Sequence, residues 1–380
     1  MSKAALLITI AILLSVAAAA QQSNASAEAA ADVGGPARPA DTAGLEAQLP
    51  QQPQNKPRAA DTSRSEIKRP KSEGSMVGYV DDALIGTQIR LRFDAGFDSN
   101  APDRAEFFYS KCGCYGFLPT TNPAYDPKAP GLGPGGANDI NFQQIYLQAE
   151  YSPFSRFSVF SEVPFRFIQP QAFITTLLGS PIPVGFNQGG EIGTARLANP
   201  SGLSDVRFGF KVAVVQSENR TLTFQFRTYA PTGNVPLGLG NGHWSVEPSL
   251  LYYQQLSDRW TIEGQVGDWH PTGGHAGIPT NGSGSFAGDV FLYGFGPSYQ
   301  VYRSHNLQVA PVFELFGWHV LGGFQTAPNV NADGVNIVNL KFGVRANIER
   351  HHSVYLGYGR AVTDADWYRN LLRAEYRYVF

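Results

Sequence analysis

Cysteine is scarce in this chain: two in 380 residues, Cys112 and Cys114, in the run Lys-Cys-Gly-Cys-Tyr. One Cys-Gly-Cys pair builds neither a zinc ribbon nor a multi-bridge scaffold, and no His or further Cys stands near it in sequence to complete a metal site. A second long apolar run is also missing. Ala4 to Ala20 is the single one, so nothing further along offers the ~20 apolar residues of a membrane-crossing helix. Charge is thin, at 16% of residues, where a globular domain carries about a quarter. A net charge of −2 without a basic run leaves no electrostatic footprint for nucleic acid. From Gln21 to Ser75 no aromatic residue occurs. That stretch of Ala, Pro, Gln, Ser and scattered charge cannot bury enough apolar area to offset the entropy of ordering it.

The N-terminal run has the parts of a secretory signal. Lys3 supplies the positive start, Ala4 to Val16 the apolar stretch, and Ala18-Ala19-Ala20 the small-residue site before Gln21. Cleavage is expected after about Ala20, and the absence of a Cys at Gln21 argues against a lipoprotein. In an oxidising compartment Cys112 and Cys114 could close a local disulfide, with Gly113 easing the tight loop. The expected layout is a signal peptide over 1–20, a disordered periplasmic tail over 21–80 and one folded body over 81–380.

What the chain does have, from Leu84 on, is alternation. Ile89, Leu91, Phe93, Ala95 and Phe97 share one parity, and Gln88, Arg90, Arg92 and Asp94 the other. The last ten residues repeat the pattern, with Leu372, Ala374, Tyr376, Tyr378 and Phe380 against Arg373, Glu375 and Arg377. Side chains alternate across a strand, so each such segment has an apolar face and a charged one. Such segments recur near 85–97, 140–151, 157–168, 203–214, 221–230, 244–256, 260–270, 288–302, 306–318, 335–348, 353–361 and 367–380, most of them long enough to cross a bilayer at a tilt. Short links (152–156, 216–220, 257–259, 303–305, 349–352) alternate with longer ones (99–139, 169–202, 231–243, 271–287, 320–334) and, last, a shorter outer link at 362–365. Short periplasmic turns and long outer loops belong to an antiparallel meander closed into a transmembrane β-barrel. The expected fold is therefore all-β, a barrel of about twelve strands in the outer membrane of a Gram-negative-type envelope. Trp244, Trp269, Trp318 and Trp367 fall at outer strand ends and Trp260 at an inner one, the depths of aromatic girdles, although strict parity turns Trp269, Trp318 and Trp367 inward.

The same parity assigns an inward, lumen-lining set. Its cations are Arg90, Arg92, Arg166, Arg207, Lys211, Arg227, Lys341, Arg345, Arg373 and Arg377; its anions are Asp94, Glu150, Glu162, Asp205, Glu247, Glu263, Glu314 and Glu375. Charges of both signs in one narrow space are expected to pair across strands, since an unpaired buried charge is costly. They either close into a network that stiffens the wall or line a polar path for a small solute.

Several pieces resemble one family: Glu162-Val163-Pro164-Phe165-Arg166-Phe167, Gly202-Leu203-Ser204-Asp205-Val206 leading to Lys211, Pro231-Thr232-Gly233, Trp244-Ser245-Val246-Glu247-Pro248, and the closing Tyr368 to Phe380. From about Gln143 on, the chain is similar to the outer-membrane barrels grouped with the MetA pathway of phenol degradation. The closing strand, ending on Phe380, also resembles the signal by which outer-membrane barrels engage their assembly machinery. The resemblance implies a porin-like barrel with a role in transport of small, including aromatic or hydrophobic, molecules. Its partners would be outer-membrane lipid, that machinery and the solute, with no cofactor, metal or enzymatic activity.

Two other functions stay open on sequence alone. One is a structural or surface-binding barrel acting through the loops 99–139 and 169–202, without transport. The other is an outer-membrane lipase: His243-Trp244-Ser245 has the two-residue spacing of a base and nucleophile on one strand face, but Asn-Gly does not follow the Ser as it does in the phospholipase of that class. His351-His352 and His270 with His275 fit solvated turns better than metal sites. Gly294 and Gly296 suit close packing within a strand.

Overall fold

The computed structural model describes residues 74–99, 120–121, 137–173, 176–177, 180–181, 199–234, 237–272, 287–323, 332–349 and 351–380. Cys112, Cys114 and His275, the signal segment and the tail up to residue 73 lie outside the described residues.

Twelve long strands form the body: β1 (Gln88–Ser99), β2 (Ala137–Phe154), β3 (Phe157–Phe173), β4 (Val206–Gln216), β5 (Arg220–Ala230), β6 (Trp244–Gln255), β7 (Trp260–Thr272), β8 (Val290–Tyr299), β9 (Leu307–Val320), β10 (Asn336–Ile348), β11 (His352–Ala361) and β12 (Asn370–Val379). Each pairs antiparallel with its neighbours in sequence. The ring closes where β1 meets β12, from Gln88 opposite Val379 to Phe97 opposite Asn370. The sheet of the ring thus closes on itself without a free edge among the described residues, which is the condition for a β-structure in lipid. The expected strand number and closure are both met. The segment expected over 203–214 is interrupted at Ser204 and Asp205, with a short strand Ser201–Leu203 pairing on β3 ahead of β4.

Alternation sorts the side chains as the sequence implies. Ile145, Leu147, Val163, Phe165, Phe295, Phe342, Val344 and Leu356 are exposed on the outside of the ring. So large an exposed apolar surface is explained by lipid rather than water. Trp244 and Trp260 are half exposed on that surface at opposite strand ends. Trp269, Trp318 and Trp367 are not part of the girdle: they are buried inside, and Trp318 packs against Trp367 at 4.9 Å. The parity of their strands, rather than their depth, sets where Trp269 and Trp318 point, and Trp367 lies in the turn ahead of β12.

The boundary of the folded body differs from the sequence expectation. Residues Ser75 to Val80, which composition joins to the disordered tail, are buried inside the ring. The stretch 74–87 forms an arch. It rises from the end of the barrel that carries the short turns, passes its highest point at Tyr79–Asp81, and descends through Ala83 into β1. Within Ser75 to Val80, Met76, Val77 and Val80 are apolar and Tyr79 is the first aromatic residue after the tail. They find inside the barrel the apolar cover that the preceding residues cannot supply.

Candidate functional site

The lumen is built from the inward parity of all twelve strands. Of the inward charges named from the sequence, Arg207, Arg227 and Arg373 are partly buried and all the others are buried. They form a connected network. Glu162 takes Arg92 at 3.3 Å and Arg207 at 2.9 Å. Glu150 takes Lys211 at 3.0 Å. Glu375 gathers Arg345 at 2.9 Å, Arg377 at 3.2 Å and Arg90 at 3.8 Å. Asp94 receives both guanidinium arms of Arg373 at 2.7 Å. Arg227 bonds Glu247 at 2.9 Å, and the Tyr229 hydroxyl donates to the same carboxylate. Arg166 donates to Gln144 at 3.0 Å. Asp205 belongs to the outer rim instead, where it accepts the N–H groups of Gly233 at 2.9 Å and Asn241 at 2.7 Å.

The arch is stitched into this network. Glu263 accepts the N–H of Met76 at 2.7 Å. Glu314 accepts three successive N–H groups, those of Gly78 at 2.9 Å and of Tyr79 and Val80 at 2.8 Å each, an anion cradled by consecutive amides. In return Arg345 donates to the carbonyls of Met76 at 2.9 Å and Val77 at 2.6 Å, and Arg373 to Gly78 at 2.6 Å. Lys211 donates to the Asp82 carbonyl at 3.0 Å and Thr223 to that of Ala83 at 2.6 Å. The two arch carboxylates are engaged as well, Asp81 by Arg227 at 2.7 Å and Asp82 by Arg377 at 2.9 Å. With Asp205 at the rim, the inward set holds ten cations and seven anions; Asp81 and Asp82 supply two further anions. Hydrogen bonds to charged groups contribute about 1.5–3 kcal/mol each, so the arch is a held element of the wall rather than a loose end. Gly294 and Gly296 leave the room that Val80 and Val77 occupy.

Above the arch, toward the long loops, lies a cavity of 160 Å³ with Tyr79 and Asp81 as its floor. Its two sides differ. Strands β1 to β6 contribute Arg92, Tyr146, Glu162, Arg207, Arg227 and Glu247, while β7 to β9 contribute Trp269, Val290, Leu292, Phe316 and Trp318, with Tyr368 beside them. Phe316 and Trp318 pack at 4.7 Å, and Trp318 meets Tyr368 edge-on at 6.4 Å. Ligand sites combine apolar surface with placed polar groups; this cavity has both, and charged side chains make up much of its wall. Charges named from parity line one side, and Trp269 and Trp318, which strict parity turns inward, line the other. The arch floor has no counterpart in the sequence reading, although the cluster Met76 to Val80 is a signal of it.

The other candidates resolve locally. Ser245 Oγ is 3.2 Å from His243 Nδ1, but both side chains are buried on the inward parity, away from any phospholipid ester. His351 Nδ1 is 2.7 Å from the Val379 carbonyl oxygen and His352 Nδ1 is 2.7 Å from the Tyr376 hydroxyl. Asp268, His270 and Asp289 bring ligand atoms together near the long-loop end. His270 is exposed there and bonds the partly buried Asp289 at 2.7 Å.

A family model described as "Putative MetA-pathway of phenol degradation" matches residues 166–366. No curated protein matches the chain. Among solved structures, an outer membrane channel from Pseudomonas putida F1 is similar, with 13% identity over 82% of this chain and 99% of that one, at a TM-score of 0.46. The beta domain of the Bordetella autotransporter Brka aligns with 14% identity over 78% of this chain and 100% of that one, at 0.41. The NanC porin aligns with 8% identity over 76% of this chain and 100% of that one, at 0.40.

Proposed function

Because the chain belongs to the MetA phenol-degradation family, we propose that it is an outer-membrane channel for a small aromatic solute, closed at rest by its own N-terminal arch. The observation that carries the reading is the cavity above the arch. Its volume of 160 Å³ suits a single ring, since an apolar cavity of about 150 Å³ holds benzene. Trp269, Phe316, Trp318 and Tyr368 supply ring faces and edges there, against which an aromatic solute packs favourably. The charged side supplies groups to orient a polar substituent. A general ion pore would need neither the aromatic side nor the arch.

Passage requires the arch to yield. Both of its ends open on the short-turn side, and its bonds to Glu263 and Glu314 are broken by withdrawal of one segment without parting the strands. The test is flux of phenol and of a sugar of similar size into vesicles carrying the full-length protein. Phenol uptake above protein-free vesicles, without sugar uptake, supports the reading. No solute flux and no ion current, with or without the arch, would instead leave a structural barrel.

A further inference from the structure

Lys341 stands directly opposite Glu314 across β9 and β10, and the two do not bond. Both oxygens of Glu314 are taken by the arch amides of Gly78, Tyr79 and Val80, and Oε1 also accepts the Tyr355 hydroxyl at 3.2 Å. Lys341 is left buried, with one oxygen partner, the Tyr368 hydroxyl at 3.1 Å. Otherwise its ammonium faces rings: Tyr79 at 4.0 Å, Phe316 at 4.9 Å and Trp318 at 5.4 Å from their centroids. Among the described residues no carboxylate lies within 4 Å of it, whereas Arg92, Arg207, Arg227 and Arg373 around the same cavity each hold one.

An ammonium has three donors, and a buried one without a counter-charge is costly to keep. Here that cation lines a ring-sized cavity whose nearest surfaces are aromatic. We infer that Lys341 is the recognition point for an aromatic carboxylate, whose anionic group supplies the counter-charge that Glu314, bound to the arch, does not, while its ring packs against Phe316 and Trp318. The inference rests on the transport reading and narrows it from small aromatics to small aromatic acids. A neutral ring fills the same space but leaves the ammonium uncompensated. An organic cation would meet it with repulsion.

Binding to the purified full-length protein in detergent is followed by tryptophan fluorescence, Trp318 being in contact with the site. The probes are benzoate, its neutral analogue benzyl alcohol, and acetate, which has the charge without the ring. Benzoate should bind the unaltered protein about tenfold or more tighter than either, the scale of one charge-assisted hydrogen bond. Lys341→Met should remove that advantage and leave benzyl alcohol as it was, while Lys341→Arg should retain much of it. Equal binding of benzoate and benzyl alcohol by the unaltered protein overturns the inference, and needs no variant to fold. So does a Lys341→Met protein that still prefers benzoate. Flux of the same probes into vesicles separates the two readings. Preferential benzoate binding with no flux of any probe sinks transport and leaves the site. Flux of benzyl alcohol without preferential benzoate binding does the reverse.

Discussion

Gly78 lies so close to the ring of Tyr355 that a methyl group built on its α-carbon would overlap the ring. The ring cannot give way easily. Tyr355 is fully buried, Gly343 and Gly357 are pressed against it from the barrel wall, and Tyr79 meets it edge-on at 6.0 Å. Glycine at 78 is therefore the condition for the arch to seat. Gly78→Val should unseat it and raise single-channel conductance in planar bilayers. Adding Tyr355→Ala should restore room and return the conductance toward the parent value, with a coupling between the two changes of about 0.5–3 kcal/mol. Parent-like conductance for Gly78→Val alone would show that the arch does not set the bore.

Glu314 is the acceptor that holds the top of the arch, and it does so as an anion. A glutamine keeps the shape but loses the charge and turns an N–H₂ toward one or more of the amides of Gly78, Tyr79 and Val80. With about 1.5–3 kcal/mol at stake in each charge-assisted bond, Glu314→Gln should speed hydrogen exchange at those three amides by about tenfold or more. Amides in the strand ladders should be unaffected. Unchanged exchange at 78–80 would mean that the arch is held elsewhere, by Arg345 and Arg373.

Glu375 is the only carboxylate within ion-pair distance of both Arg90 and Arg345 among the described residues, and Arg377 joins them. Neutralising it leaves three guanidinium groups facing one another in a buried site, and two of them, Arg345 and Arg377, also hold the arch. Removing one partner of a buried charge pair costs about 3–5 kcal/mol. Glu375→Gln should therefore lower the unfolding free energy by about that amount in urea titrations in detergent. A change under about 1 kcal/mol, the level of a surface pair, would show that water reaches the cluster.

The barrel was legible because two periodicities agreed. Alternation named the inward charges strand by strand, and the exchange of short and long links fixed the antiparallel order. Trp269 and Trp318 show where one of two signals has to prevail: depth suggests the girdle, parity the lumen, and parity wins because a strand cannot turn one side chain without turning its neighbours. Arg373 on Asp94 could be foreseen from cross-strand pairing, since the two are opposite residues in β12 and β1. Lys341 and Glu314, equally opposite, could not. Their separation is caused by Gly78, Tyr79 and Val80, more than 230 residues away in sequence, and nothing local in β9 or β10 announces it. The arch itself has neither period. It is irregular backbone, bent at 78–80, whose amides are satisfied by barrel side chains, so it reads as tail until the barrel is closed around it.

Lipid contact has its own test in the depth dependence along β10. Leu340, Phe342, Val344 and Ile348 share the outward parity of this strand, and Phe342 is 55% exposed on the outside, its ring 4.9 Å from that of Phe313. Phe342 lies near the middle of Asn336–Ile348, and Ile348 at its end, beside a short turn. An arginine facing lipid costs about 2–4 kcal/mol at the bilayer midplane and about 0–1 kcal/mol near the interface. Phe342→Arg should thus destabilise folding into vesicles by the larger amount and Ile348→Arg by the smaller, with Leu340→Arg close to the first. Equal costs at 342 and 348 would place both at one depth. Costs near zero at both would put this face in water, and the membrane assignment could not stand.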